Sequence, residues 1–158
     1  MIRFFVPGIP RPGGSKTAFR TKRGKVVVTD ASKYTKNWQS VVALTAHEAM
    51  IGRHIYNEPL SLRIIFYMPR SKSHYGSGSN AEKLRPAAPK YHTIAPDITK
   101  LIRSTEDAMT RIVWVDDSQI TKQVAEKVYS ETPGAWIDVE SMPEYEQRKI
   151  SRIRTIAR

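Results

Sequence analysis

The stretch Pro96 to Gln119, PDITKLIRSTEDAMTRIVWVDDSQ, decides how this chain is read. Its apolar positions Ile98, Leu101, Ile102, Thr105, Ala108, Met109 and Ile112 recur at helical spacing, with Asp97 where an N-cap belongs. The helix is therefore expected to run to about Arg111. Five carboxylates lie in the same stretch: Asp97, Glu106, Asp107, Asp116 and Asp117.

Those carboxylates stand against a strongly basic background. Lys and Arg number 26 against 15 Asp and Glu, a formal net charge of +11. The excess is uneven: residues 1–81 hold 13 basic and 3 acidic side chains, residues 82–158 hold 13 and 12. Such a balance favours a polyanionic partner through phosphate neutralisation and counterion release, and nucleic acid leads. A carboxylate group beside a polyanion surface suggests a hard divalent cation, because Mg²⁺ takes oxygen ligands and shares them with phosphate.

At 158 residues the chain predicts one domain with a real core. It has no Cys, which excludes disulfides, thiolate zinc and a cysteine nucleophile, and fits a reducing cytoplasm. No apolar run reaches the length of a membrane span, and the opening residues are too short an apolar stretch for a secretory signal. No membrane partner and no small-molecule organic cofactor are expected.

Working outward, Ile2 to Val6 reads as a strand closed by Pro7 and Gly8, then a turn-rich loop through Pro10, Pro12, Gly13 and Gly14. A flexible basic arm follows at Lys16 to Lys25, shaped as a hairpin tip leading into a strand at Val26 to Thr29. Its Lys16, Arg20, Lys22 and Arg23 are candidate phosphate contacts. Asp30 is the expected N-cap of a helix with the stripe Tyr34, Trp38, Val41, Val42, Thr45 and Ala49, whose early turns expose Lys33 and Lys36 as further DNA-binding candidates.

Leu60 to Met68 predicts a buried strand stopped by Pro69. Residues 70–95, rich in Ser, Gly, Pro, Lys and Arg, are expected to form a mobile basic loop. Gln119 to Tyr129 fits helix or strand equally, Pro133 and Gly134 mark a turn, and Ala135 to Val139 is extended. A domain over 1–142 and a basic tail over 143–158 result.

The chemistry centres on Asp97, Asp116 and Asp117 as metal-ligand candidates. Asp97 starts the helix and the other two lie beyond its end, so they converge only if the following chain is a strand running back along it. Arg103, beyond Asp97 on the face shared with Thr99 and Asp107, can meet a scissile phosphate, and Lys100 can contact phosphate. The bland alternatives are an N-cap for Asp97, turn residues for Asp116 and Asp117, and a solvated face for Glu106 and Asp107. Trp38, Trp114 and Trp136 read as core or interface, while Phe19 and Tyr75 suit base stacking.

PDITKLIRSTEDAM followed by VWVDDSQI resembles the signature of the RusA-type Holliday-junction resolvases, P-D-x-D-N, a downstream Lys, D-A-L and W-x-D-D-x-Q. The likeness extends through FFVPGIPRPGGSK, the basic arm and the IIFYMP strand, covering roughly residues 1–140. It implies a small homodimeric α/β (α+β) protein, a mixed sheet on two main helices, nicking opposed strands of a four-way DNA junction with Mg²⁺. It implies Asp97 and Asp117 as catalytic metal ligands with Asp116 beside them, and Arg103 in the place of the family's lysine. A bacterial phage or prophage source goes with the resemblance.

Thr99 stands where the family has its second carboxylate, and Lys100 where it has Asn. One metal ligand is lost and one positive charge gained, which predicts weaker metal binding. Natural loss of activity, rescue by Glu106 or Asp107, and a deliberate trapping substitution all remain open. Beside the resolvase reading stand a branched-DNA-binding module that cleaves poorly and a general single-stranded nucleic-acid-binding protein.

Overall fold

A computed structural model describes residues 1–13, 16–22, 24–30 and 33–146, giving the backbone alone for 16–19, 26–30 and 33. The strands are β1 (Ile2–Pro7), β2 (Lys16–Arg20), β3 (Val26–Asp30), β4 (Leu60–Pro69), β5 (Ile120–Ser130) and β6 (Gly134–Ser141). The helices are α1 (Lys33–Ala49) and α2 (Ile98–Met109). Four strands form a mixed sheet in the order β1-β6-β4-β5, and β2 with β3 makes a separate hairpin. The α+β class expected from the sequence is the one observed.

β4 is interior because its sequence allows it. Leu60, Leu62, Ile64, Phe66 and Met68 are buried on one face, and the strand pairs antiparallel with β6 and parallel with β5. Parallel pairing requires a long crossover, and residues 70–119 supply it, carrying α2 across the sheet. The crossover lays Leu101, Thr105 and Met109 of α2 into the core, beside Trp38 and Val42 of α1. The indole N–H of Trp38 donates to Thr105 Oγ1 at 3.3 Å and that hydroxyl donates to Leu101 O at 2.9 Å, so both polar groups in the contact are satisfied.

Several expectations need correction. Asp30 ends β3 opposite Lys16 and lies ahead of α1, so it is not the helix's N-cap. The buried face of α1 is Trp38, Val42 and Ala46, a strict four-residue row that Met50 continues just past the helix end; Tyr34 and Val41 are exposed. Tyr34 instead lies beneath the Arg11 guanidinium, 5.2 Å from the ring centre. α2 stops at Met109, before Arg111, because Thr110 turns extended and Arg111 takes a left-handed φ of 66° to bond Trp114 O at 2.6 Å.

The ambiguous stretch after Gln119 resolves as β5. Residues 70–95 contain two short 3₁₀ turns, Lys72–His74 and Gly78–Asn80. Their end is tied to β5 by His92 N to Lys127 O at 3.1 Å and Tyr129 N to Lys90 O at 2.9 Å. His74 and His92 both pack against the Tyr129 ring, at 4.6 and 4.7 Å between centroids. Residues 142–146 are helical, and the rest of the expected tail lies outside the described residues.

Gly134 begins β6 opposite Pro7, where a Cβ would meet the Phe5 ring and stand 2.5 Å from Val6 O. Gly134→Ala is expected to lower stability by about 1–3 kcal/mol through overpacking, read as the urea midpoint. An unchanged midpoint would contradict this packing.

Candidate active site

Asp97 occupies the N-cap position of α2 with extended backbone (φ −63°, ψ 140°), yet its side chain makes no capping hydrogen bond. The carboxylate turns instead to Lys100, whose Nζ lies 3.1 Å from Oδ2. Both side chains are more than half exposed, so the pair is worth about 1 kcal/mol at most. Thr99 is exposed beside them. The loop after β1 closes the same end of the helix, with Gly13 N donating to Lys100 O at 2.8 Å.

β5 does run back along α2, but it does not bring a second carboxylate to Asp97. It brings Lys127. That ammonium donates to Ile94 O and Pro96 O, both at 2.7 Å, fixing the chain just before Asp97. Burial lowers the Lys127 pKa and the negative charge of Asp97 opposes the shift. Lys127 was not singled out from the sequence; reading Gln119–Tyr129 with a period of two would have put Gln123 and Lys127 on the helix-facing side.

Asp117 lies at the opposite end of α2. Its Oδ1 accepts from the Trp114 indole N–H at 2.8 Å and from Thr110 Oγ1. Asp116 caps the adjoining 3₁₀ turn, accepting from Ser118 N at 2.9 Å, which holds its pKa below the usual carboxylate range. Gln119 braces the turn from both sides: Oε1 accepts from Val115 N and Asp116 N, and Nε2 donates to Tyr56 O and Glu58 O.

Glu106 and Asp107 sit on the last turn of α2 close enough to Asp117 to feel its charge. Burial, then Asp117, raises Glu106 from its ordinary 4.5 to about 6 despite a hydrogen bond from Gln123. Asp107 is raised by burial, with Arg103 pulling it down and Asp117 pushing it up. Arg103 shares the exposed outer face with Thr99 and Asp107, as expected.

Asp97 and Asp117 therefore flank a twelve-residue helix that is roughly 18 Å long at 1.5 Å per residue. They do not converge within one chain. Glu106 and Asp107 accompany Asp117 and cannot make good the missing carboxylate beside Thr99 of the same chain. Among the described residues, no three of His, Cys, Asp and Glu gather closely enough to hold a metal ion. The oxygen donors suit Mg²⁺ in kind, but one chain divides them between two places.

Of the basic candidates, Arg20, Lys22 and Lys36 are exposed and Lys100 is paired with Asp97. Lys16 opens β2 and Lys33 opens α1, their side chains lying outside the described residues, as does Arg23. No helix among the described residues is long and apolar enough to cross a membrane.

A mixed sheet with a crossover helix carrying carboxylates at both ends stands in a chain of net charge +11, a balance that favours a polyanionic partner. The comparison with known families is specific: residues 7–140 match endodeoxyribonuclease RusA, and the chain belongs to that family. It is also 33% identical over 141 residues to the uncharacterized protein YqaN of Bacillus subtilis (strain 168), covering 84% of this chain and 90% of the relative. The RusA family is one of endodeoxyribonucleases that bind branched DNA and resolve Holliday junctions.

The raised Glu106 pKa has a stability consequence. Between about 4.5 and 6 the folded chain holds a proton that the unfolded chain has released, so stability falls as pH rises through that window. Because Glu106 is only half-buried, solvent screening limits the effect to about 1 kcal/mol. Glu106→Gln is expected to gain that stability at pH 7 and match the parent at pH 4, measured by urea unfolding at both values.

Proposed function

We propose that this chain is a structure-specific DNA endonuclease that resolves four-way junctions by symmetric phosphodiester hydrolysis with Mg²⁺, working as a homodimer. The observation that carries the reading is the polarity of α2. Lys100 and Arg103 lie on its first half, while Glu106, Asp107 and then Asp117 gather at its far end.

A twofold axis across this helix sets two copies antiparallel. It places the basic half of each against the acidic half of the other, so the surface is complementary to itself. The same operation brings Asp97 of one subunit toward Asp117 of the other, twice per dimer. Two equivalent sites are what a reaction on two opposed strands needs.

In this arrangement Asp97 and Asp117 supply hard oxygen ligands, with Glu106 or Asp107 standing in for the carboxylate absent at Thr99. A divalent cation bound there supplies Lewis-acid polarisation of the phosphodiester. Arg103 and Lys100 neutralise phosphate charge as it grows, and Lys127 keeps the Asp97 segment in place. Asp116 serves the turn that aims Asp117. The exposed Arg20, Lys22 and Lys36 position the DNA arms without reading their sequence.

A second reading, a junction-binding module that cleaves poorly, is favoured by the Lys100 ammonium on Asp97 beside the neutral Thr99. One assay separates the two: nicking of a labelled four-way junction with and without Mg²⁺. Asp117→Asn is expected to lower the rate on the order of 10²-fold. Thr99→Asp is expected to raise it about tenfold or more, equivalent to about 1.4 kcal/mol of barrier. Nicking untouched by Asp117→Asn would remove the assignment. A parent that binds junctions yet gains cleavage only with Thr99→Asp would establish the second reading.

A further inference from the structure

Two turns of the chain meet beside the acidic end of α2. After α1, Gly52 takes a left-handed φ of 73° and Arg53 N donates to Met50 O at 2.9 Å, which turns the chain back. After α2, Arg111 makes the second turn with its φ of 66°. Tyr56 N donates to Val113 O at 2.9 Å and ties the two segments together. Between them lies a cavity of about 450 Å³ whose walls include His47, Arg53 and Arg111 with Ile51, Ile55 and Ile112.

Charge sets this cavity apart. No carboxylate stands among the residues that line it, whereas the groove over Arg3, Arg63 and Lys122 also carries Asp138 and Glu140, and the hollow beside Arg70 carries Glu82 and Glu131. Among the described residues, neither Arg53 nor Arg111 makes a salt bridge. Both helices end here, and cations stabilise helix C-termini, but that role does not account for the arrangement. The carbonyls of His47, Glu48 and Met50 already accept from the N–H groups of Met50, Ile51 and Arg53. Nor does it call for Ile51 and Ile55, which stand 72% and 47% exposed. A left-handed position suits Gly or Asn better than Arg, and a residue held there against that cost is typical of a functional segment.

Guanidinium forks rimmed by aliphatic side chains fit a sugar–phosphate backbone, since phosphate takes paired N–H donors and deoxyribose packs on methyl groups. No Phe, Tyr or Trp lines the cavity to stack a base. The cavity adjoins the candidate site through the chain itself. Arg111 follows Thr110, whose hydroxyl donates to Asp117. Its charge also reaches Asp116, where it adds to the Ser118 hydrogen bonds that chiefly hold that carboxylate's pKa low. We propose that Arg53 and Arg111, with His47 beside them, grip a backbone phosphate flanking the one to be cut, its sugar lying against Ile51 and Ile55. The inference rests on the nuclease reading given above. A second grip beside Asp117 orients the strand and fixes which phosphodiester is presented.

The test measures binding of a labelled four-way junction in EDTA across a salt series, for the parent, Arg53→Ala with Arg111→Gly, and Ile51→Glu. Glycine accepts the left-handed φ, so Arg111→Gly removes the guanidinium without adding strain. Ile51 is exposed, so the glutamate adds a negative charge to the cavity and leaves the core alone. The arginine variant is expected to lose roughly tenfold or more in affinity and about one unit of slope in log K against log salt. Ile51→Glu is expected to weaken binding similarly. Both variants matching a parent that binds would overturn the proposal and leave the nuclease reading standing. Weaker binding at unchanged slope, with a lowered urea midpoint, would make the arginines helix-end braces and overturn it too. So would a change of oligomeric state in place of the slope, which would make a second copy the occupant. A parent that neither binds nor nicks junctions, with or without Mg²⁺, would remove the nuclease reading and this inference together.

Discussion

Everything at the candidate site depends on how α2 is pinned to β5. At its start, Lys127 grips the carbonyls of Ile94 and Pro96, the residues that deliver Asp97. At its end, the Asp117 carboxylate ties Thr110 and the buried Trp114 indole together. Between these anchors, Leu101, Thr105 and Met109 are fully buried, so the helix can neither slide nor turn without opening the core. The separation of Asp97 from Asp117 is consequently a rigid property of the fold.

That rigidity gives the charges their meaning. The helix is basic on its first half and acidic at its far end, where burial first and the repulsion of Asp117 second raise Glu106 to about 6. A lone subunit leaves that repulsion in place and its Asp97 facing ammonium groups. In the proposed homodimer, antiparallel register would relieve both, so assembly and completion of the site would be one event. Thr99 is exposed, so a change of side chain there leaves the packing undisturbed.

Much of this was legible in the sequence, for identifiable reasons. The strand at Leu60–Pro69 and the helix at Ile98–Met109 announce themselves because burial on one face imposes a period that no surface demand disturbs. The carboxylates were legible as a set, since they interrupt a basic background. Their placement was not. Spacing along a chain does not say which end of a helix the following strand begins at, and β5 returned Lys127 rather than an aspartate to Asp97. The α1 stripe was misphased at Tyr34 and Val41 because apolar residues on its outer face look the same in sequence as those turned inward. Asp116 and Asp117, adjacent in sequence, separate into a turn cap and a carboxylate at the end of α2 through hydrogen bonds that no pattern encodes.

The most direct test of the central claim, that two subunits share each site, is subunit mixing. Asp97→Asn and Asp117→Asn chains are prepared apart, then mixed under exchange, and bound Mn²⁺ is counted from the loss of free-ion paramagnetic signal, with junction nicking followed in parallel. Each variant alone lacks both sites, while a mixed dimer keeps one intact pair, Asp97 from one chain and Asp117 from the other. Mixing is expected to restore metal binding and nicking that neither variant has alone. A mixture that stays at the level of the separate variants would contradict it.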